Sequence, residues 1–292
     1  MTFSHYILTR FNLPLSSLQK GQTSAVCKPE YLFYRFSVFE KFCLPSVRNQ
    51  TCQSFKWLVL FDNNTPESFK QRAAGWHRAF PNLIPCYLDV DVYGGILENP
   101  CPVNDVDTDG PMQQITSRFV TDVIRSMERT LPEWVLTTRL DSDDALHRDL
   151  VKVVQGFFLK NPKMMAFDNV FTYKYILDES IIYRYKLING HYLTLAEKTG
   201  DSFRSVLFCN HLAMDKYVEV QHIYGRTLQT ELIHSGNVVN GYTDLSISGL
   251  RYALFHFRGH EFGYDGVRFS RKKAVYMIGS LLKRRLWSKC AR

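Results

Sequence analysis

The sequence WVLTTRLDSDD, residues 134–144, joins an apolar run to three carboxylates. A short apolar run bounded by turn-forming residues is typical of a strand buried in a parallel sheet. Asp141, Asp143 and Asp144 follow at the end of that strand. Carboxylates this close repel one another unless solvent or a cation neutralises them. The stretch therefore predicts a buried strand with a charged site at its carboxyl end.

Outward from this stretch, apolar strands and amphipathic helices alternate over residues 1–160. Strands are predicted at 5–8, 57–61, 83–90 and 134–140, and helices at 31–47, 67–80, 113–129 and 146–159. Thr65 is expected to cap the second helix. Beyond residue 160 the pattern changes, and antiparallel strands are predicted at 164–167, 170–175 and 181–187. This order predicts an α/β fold: a mainly parallel sheet flanked by helices, with a mixed or antiparallel second half.

Composition limits the classes of function. Hydrophobic residues make up 45% and charged residues 22%, as in globular proteins, which excludes wholesale disorder. Nine of the 36 basic residues lie in residues 268–292, which contain no acid. The remaining 27 oppose 28 acids, so the net charge of +8 belongs to the tail, and no nucleic-acid partner is expected. We predict one domain over 1–267, with a first half (1–160) and a second half (161–267), followed by a basic amphipathic tail (268–292).

Polar residues follow three of the predicted strands: Arg10 after the first, Asp62 after the second, and Arg139 with the acids after the fourth. Ligands of α/β sheets bind at the carboxyl ends of the strands. Mn²⁺ or Mg²⁺ is a natural partner for clustered carboxylates and would also hold the diphosphate of a nucleotide. The alternative is a solvated turn in which Asp141 or Asp144 caps the next helix.

Five segments resemble the "putative rhamnosyltransferase" family of bacteria, which has the Rossmann-like GT-A glycosyltransferase fold. They are HYILTRF (5–11), CLPSVRNQT (43–51), FKWLVLFD (55–62), RLDSDD (139–144) and HSGNV (234–238). The resemblance spans roughly residues 1–245. It implies that the first half (1–160) binds the donor and that the second half (161–267) binds the acceptor. It implies a metal-dependent glycosyltransferase that uses a nucleotide-sugar donor, with dTDP-rhamnose as one candidate, and a glycan or lipid-linked acceptor.

The resemblance also implies roles for individual residues on the donor side. Asp62 matches the acid that binds the nucleobase, although a turn cap is the competing interpretation. Arg10 is expected to stack on the base or to pair with phosphate. Arg118 matches a donor-contacting arginine, against a solvated helix position. Arg139 lies within an apolar strand, where it would contact the donor or form a structural ion pair.

Metal ligands are expected among the three acids and one late histidine. Asp143 is the first choice, Asp141 would contact the sugar or ribose directly or through the metal, and Asp144 would support either. His234 matches the histidine that completes the metal site in GT-A enzymes. Four other histidines compete with it: His211, His222, His256 and His260.

An inverting transfer needs a carboxylate base near the acceptor hydroxyl. Asp201 and Asp215 are candidates for this base, and the sequence does not rank them. Two other functions stay open. A haloacid-dehalogenase-like phosphohydrolase also places Asp-x-Asp after a strand, but after the first strand. The third is a non-catalytic protein that binds nucleotide sugars.

The basic tail interleaves charged and apolar residues. Val275, Ile278, Leu282 and Leu286 are spaced as on one helical face, which suits contact with anionic lipid. The alternative is a helix packed on the body of the protein. No secretory signal or spanning segment is recognised, so we expect a cytoplasmic protein, peripheral on the inner face of the plasma membrane if the tail binds lipid.

Overall fold

The computed structural model describes residues 1–13, 25–95, 111–200, 203–234, 245–265, 267 and 269–290. The strands in chain order are β1 Phe3–Arg10, β2 Lys56–Asp62, β3 Leu83–Leu88, β4 Trp134–Arg139, β5 Ala145–Leu146, β6 Met165–Asn169, β7 Phe171–Ile176, β8 Ile181–Lys186, β9 Thr194–Lys198, β10 Val220–Ile223 and β11 Gln229–Ile233. The α-helices are α1 Pro29–Val38, α2 Leu44–Arg48, α3 Glu67–Ala79, α4 Val90–Gly95, α5 Pro111–Met127, α6 Leu150–Lys160, α7 Ile247–His256 and α8 Arg271–Cys290.

A seven-stranded sheet forms the centre, in the order β10-β6-β9-β4-β1-β2-β3. Strands β1 to β4 are mutually parallel, and β9 is antiparallel to its neighbours β4 and β6. A smaller sheet has the order β5-β11-β7-β8. The predicted α/β fold with a mainly parallel sheet and a mixed second half is confirmed. Because β6, β9 and β10 follow residue 160, the large sheet draws strands from both predicted halves.

Helices cover both faces of the large sheet because its central strands β1, β2 and β4 are buried on both sides. On one face the rings of Phe36 and Phe39 on the first helical segment meet Trp76 of α3 at centroid distances of 4.7 and 4.6 Å. On the other face, Val120 and Ile124 of α5 are fully buried against the sheet. Burial of each such aliphatic or aromatic side chain contributes about 1.5–3 kcal/mol. These contacts hold α1, α3 and α5 against the two faces of the sheet.

The helix predicted over 31–47 is interrupted. Helix α1 passes into a π-helix, Phe39–Cys43, and α2 then begins at Leu44. The Leu44 amide bonds to the carbonyl of Phe39, five residues back. Pro45 follows directly and has no amide hydrogen, so the regular ladder cannot continue through it.

Two predicted boundaries were wrong. Residues 145 and 146 form β5 on the edge of the smaller sheet, paired with β11, so the helix expected from Leu146 begins at Leu150 instead. Thr65 does not cap α3, because Pro66 is the cap residue and the Thr65 hydroxyl bonds to the carbonyl of Asp62. Pairing with β11 keeps residues 145 and 146 out of the helix. A tight turn uses the Thr65 hydroxyl, so that it does not cap α3.

Candidate active site

Three strand ends place polar side chains along one edge of the large sheet. The register pairs Arg10 with Leu60 of β2, and Arg139 with Leu8 of β1. Since the strands are parallel, Arg10, Asp62 and Arg139 leave the sheet at the same edge. The structure therefore brings the three predicted strand ends to one location, where ligands of α/β sheets bind.

The acidic residues after β4 form a tight turn, which we call the acidic turn (141–144). The amide of Asp144 bonds to the carbonyl of Asp141 at 3.2 Å. Asp143 and Asp144 are buried, and the Asp141 side chain is 31% exposed. The turn directs the three carboxylates toward three different sets of partners.

Asp143 contacts two cationic or imidazole side chains. Its Oδ2 lies 2.9 Å from Nη1 of Arg35 and 3.1 Å from Nε2 of His234. Arg35 also donates to the hydroxyl of Ser142, and the Tyr34 hydroxyl lies 2.8 Å from Nδ1 of His234. Burial alone would raise the pKa of Asp143, but the hydrogen bond from His234 and the charge of Arg35 outweigh it and lower that pKa. Asp143 is therefore ionised at neutral pH.

Asp144 faces the smaller sheet. Its Oδ1 accepts a hydrogen bond of 2.9 Å from the amide of Leu232 in β11, two residues before His234. Burial, and then the charges of Asp143 and Asp141, raise the pKa of Asp144 well above its ordinary value. The hydrogen bond of Asp144 ties the acidic turn to β11, the strand that leads to His234.

Asp141 belongs to a cluster at the ends of β1 and β4. Arg139 approaches its carboxylate at 3.3–3.4 Å and donates from Nη1 to Nδ1 of His211 at 3.0 Å. The His211 ring lies 4.5 Å from that of His191, centroid to centroid. Burial alone would raise the pKa of Asp141, but Arg139 and Arg10 hold it well below its ordinary value. We call Arg10, Arg139, His191 and His211 the cationic cluster.

Asp62 stands in a buried turn network. Its Oδ1 accepts from the amide of Asn64 at 2.7 Å, and its own amide donates to Oδ1 of Asn12. Burial, then the charge and hydrogen bond of Asp62, raise the pKa of the nearby Cys27 thiol to about 11. Of the two interpretations given above, the structure shows the turn cap. The contact with a nucleobase stays a prediction.

Other predicted residues lie apart from these clusters. Arg118 is on α5, with 61% of its side chain exposed, and pairs with Asp122 one turn later. Asp215 is exposed on the 3₁₀ helix His211–Lys216, one turn beyond His211. Asp201 lies outside the described residues. The structure therefore leaves the roles of these three residues as predictions.

Sequence reasoning missed Arg35, Tyr34 and His191, and it named His211 only as a competing metal ligand. Arg35 and Tyr34 lie in an aromatic helical stretch, YLFYRF (31–36), where the only signal is an arginine next to buried positions. His191 lies in a turn without periodicity. Long-range contacts alone reveal these residues.

The three carboxylates of the acidic turn are directed at separate partners rather than at one shared position for a cation. Among the described residues, no group of three or more His, Cys, Asp or Glu side chains could hold a metal ion. Asp141 and Asp143 face arginines, and Asp144 accepts from a backbone amide. As placed, these side chains do not enclose a cation, so the Mn²⁺ or Mg²⁺ site remains a prediction.

Comparison with solved structures finds weak similarity to S. aureus TarS. TarS 1–349 shares 11% identity, with a TM-score of 0.41, over 80% of this chain and 60% of that chain. The same protein in complex with UDP-GlcNAc shares 10% identity, with a TM-score of 0.39, over 97% of this chain and 72% of that chain. The chain thus spans 60% of the first TarS chain, and similarity at this level does not bear on activity.

Sequence comparison is more specific but covers less of the chain. No curated protein matches. Residues 3–91 match the family described as "Putative rhamnosyl transferase". This segment contains β1, β2, β3 and α1, and thus Arg10, Arg35 and Asp62, but not the acidic turn. The resemblance noted in the sequence is thus confirmed for residues 3–91, which are similar to the family described as "Putative rhamnosyl transferase".

Proposed function

We propose that the chain transfers a sugar from a nucleoside diphosphate donor to an acceptor hydroxyl. The observation that carries this proposal is the convergence of Arg10, Arg139 and the acidic turn on the carboxyl edge of a parallel sheet. This edge offers both cations for a diphosphate and carboxylates for sugar hydroxyls. The match of residues 3–91 to a glycosyltransferase-like family supports the same activity.

The transfer breaks the bond between the anomeric carbon of the donor sugar and the diphosphate oxygen. Negative charge then grows on the departing nucleoside diphosphate. Guanidinium groups fixed at that position stabilise the charge without reorganising. In the proposal Arg10 and Arg139 act on the diphosphate, Arg118 and Asp62 bind the rest of the nucleotide, and Asp141 accepts from the sugar or ribose.

The acceptor hydroxyl must lose a proton as it attacks the anomeric carbon. Asp201 and Asp215 are the proposed bases, if the transfer inverts the anomeric centre. The position of Asp215 on the same 3₁₀ helix as His211 supports its choice as a candidate. We retain the donor half (1–160) and the acceptor half (161–267) as proposals.

The cation, the sugar and the acceptor are proposals drawn from the resemblance. Mn²⁺ or Mg²⁺ would supply additional positive charge to the diphosphate if it binds Asp143, Asp141, Asp144 or His234. Rhamnose, from dTDP-rhamnose, is the proposed sugar, and a glycan or a lipid-linked glycan is the proposed acceptor. No helix within the described residues is both long and apolar enough to cross a bilayer. Helix α8 is the proposed contact with an anionic membrane surface.

The proposal is tested by hydrolysis of a panel of nucleotide sugars, including dTDP-rhamnose and UDP-GlcNAc, each in EDTA, Mg²⁺ and Mn²⁺. We expect release of the nucleoside diphosphate from at least one donor, and loss of this release in Asp143→Asn. Asp178→Asn is the control, because Asp178 is an exposed residue in the turn between β7 and β8. The comparison of EDTA with each cation tests the metal directly.

Two outcomes would favour the other functions. Phosphate release from simple phosphomonoesters would indicate a phosphohydrolase, although β1, the strand that such an enzyme would use, ends in Arg10 rather than an acid. Tight binding of a nucleotide sugar without turnover, with acceptor extracts present, would indicate a binding protein.

A further inference from the structure

We propose that the cationic cluster, Arg10, Arg139, His191 and His211, is a subsite that holds the donor diphosphate directly, without a bridging metal ion. The inference rests on the proposed function and names how one part of the donor is bound. Two of the four residues, His191 and His211, have no role in the function as proposed above.

The tautomer of His211 follows from its partner. A guanidinium group has hydrogen-bond donors and no acceptor. Nδ1 of His211, 3.0 Å from Nη1 of Arg139, must therefore accept. An imidazole whose Nδ1 accepts a hydrogen bond carries its one proton on the other ring nitrogen. The single ring proton thus lies on Nε2, and His211 presents a donor on the side of the ring away from Arg139.

His191 is held next to His211 by a fixed turn. Asn189 has a φ of 52°, and its amide donates to Oδ2 of Asp168 at 2.9 Å. The amide of Gly190 donates to the other oxygen of the same buried carboxylate. The Arg139 amide then bonds to the carbonyl of Leu193 at 2.9 Å, which seats the turn beside the end of β4. The imidazole of His191 is therefore positioned before any ligand arrives.

The charges of the cluster favour an anion. Two guanidinium groups, Arg10 and Arg139, act on one carboxylate, Asp141. The contacts of Arg139 with that carboxylate are 3.3–3.4 Å, longer than the 2.7–2.9 Å typical of charge-assisted hydrogen bonds. By contrast, Arg35 contacts Asp143 at 2.9 Å. Arg139 is therefore held loosely by its acid, and its guanidinium is suited to a second, stronger anion.

A diphosphate presents several acceptor oxygens and needs donors spaced around it. The guanidinium of Arg139 and the Nε2 hydrogen of His211 belong to one hydrogen-bonded pair, and His191 lies beside that pair. Arg10 leaves the neighbouring strand at the same edge. The cluster thus offers several donors from four separate segments of the chain, which suits a diphosphate better than a single carboxylate of a substrate.

The experiment measures binding of UDP, dTDP, uridine, thymidine and inorganic pyrophosphate by calorimetry, first in EDTA and then in Mn²⁺. We expect the wild type to bind one nucleoside diphosphate in EDTA more tightly than its nucleoside. His211→Asn keeps an acceptor near the position of Nδ1 but removes the distal donor. It should weaken diphosphate binding about tenfold, the loss expected for one hydrogen bond to a charged group, and leave nucleoside binding unchanged.

Three further variants make the result specific. His211→Gln places an amide donor near the position of Nε2 and should restore much of the affinity. His191→Ala should weaken diphosphate binding by a similar factor, independently of any effect at His211. His77→Ala, in an exposed histidine on α3, is the matched control and should bind as the wild type does. Thermal melting of each variant checks that it is folded.

The outcomes separate the inference from the proposed function. Binding of a nucleoside diphosphate that requires Mn²⁺, or that is the same in His211→Asn, His191→Ala and the wild type, overturns the inference and leaves the glycosyltransferase proposal standing. Failure of the wild type to bind any nucleotide or nucleotide sugar, with or without cation, overturns both.

Discussion

Arg35 and Asp143 form an ion pair, with 2.9 Å between Nη1 and Oδ2, that joins α1 to the acidic turn across 108 residues of sequence. Only 12% and 10% of the two side chains are exposed, so solvent screens the pair little. The guanidinium thus supplies Asp143 with positive charge at the position where the sequence predicted a divalent cation.

Removal of this guanidinium should destabilise the protein. Arg35→Ala removes one of the two Asp143 contacts described above. Asp143 stays buried and keeps its contact with His234. We expect a loss of about 3 kcal/mol in the free energy of unfolding, measured by urea denaturation, because breaking a buried pair strands a charge. Lys163→Ala is the control: Lys163 pairs with Glu219 on the surface, with 41% and 63% of the side chains exposed, and should cost less than about 1 kcal/mol. Equal losses in the two variants would contradict a structural role of Arg35.

Asp144 should tolerate loss of its charge but not of its hydrogen bond. Asp144→Asn keeps an oxygen for the Leu232 amide and matches the neutral state that burial favours. We expect its unfolding free energy to stay within about 1 kcal/mol of the wild type, while Asp144→Ala loses about 1–3 kcal/mol through the unpaired amide. Urea denaturation at neutral pH measures both. Activity in Asp144→Asn would show that this residue is not an essential metal ligand, and a large loss of stability there would show that the ionised form is required.

Buried histidines should make stability depend on pH. Burial lowers the pKa of His5 to about 3, and its ring nitrogens contact Thr138 and Gln155. The unfolded chain takes up a proton below pH 6.5, whereas the folded chain does not until about pH 3. The free energy of unfolding is therefore highest above about pH 6.5 and decreases as the pH falls toward about 3. The decrease is about 2 kcal/mol per histidine between about pH 6.5 and about pH 5.

His5→Gln should reduce this dependence, because an amide does not titrate in that range. His211, also lowered to about 3, contributes with the same sign, so part of the dependence will persist. Denaturation at about pH 7 and about pH 5 measures the difference. His260→Asn changes an exposed histidine and should leave the pH dependence of the unfolding free energy as it is in the wild type. An unchanged pH dependence in His5→Gln would show that His5 is not one of its sources.

Helix α8 shows two faces with different roles. Its Ala274, Met277, Ile278 and Leu281 pack on the smaller sheet, while Val275, Tyr276 and Leu282 are exposed. The predicted stripe of Val275, Ile278 and Leu282 is thus divided, because Ile278 packs on the body; the side chain of Leu286 is not described. Deletion of 268–292 would uncover the core, so substitutions on the exposed face are a cleaner test.

Charge reversal on that face should abolish lipid binding if α8 contacts a membrane. Arg271 and Lys272 are exposed, and each basic residue near an anionic surface contributes about 1 kcal/mol. We expect Arg271→Glu/Lys272→Glu to reduce binding to phosphatidylglycerol vesicles by more than about tenfold in co-sedimentation. Lys152→Glu/Lys160→Glu, the same charge change on α6, should bind as the wild type does. Equal binding by both double variants would end the membrane hypothesis.

The centre of the large sheet could be predicted because its strands β2 and β4 are apolar on both sides. The runs at 57–61 and 134–140 predicted buried strands, and both are confirmed as β2 and β4. The short strand β5 could not be predicted, since Ala145 and Leu146 also fit the first turn of an amphipathic helix. Their pairing with β11, more than eighty residues later, decides the difference.

The sequence by itself determined where the charged site lies. Hydrophobic periodicity and turn-forming residues are local signals, and they place Asp141, Asp143 and Asp144 at the end of a buried parallel strand. Only the tertiary structure decided what each acid does. Arg35, Leu232 and Arg139 approach the three carboxylates from different elements, and the free energy of a charge in a protein interior depends on such neighbours rather than on sequence spacing. Adjacent acids of one motif therefore differ in pKa: arginines hold the pKa values of Asp141 and Asp143 below the ordinary range, and burial raises that of Asp144.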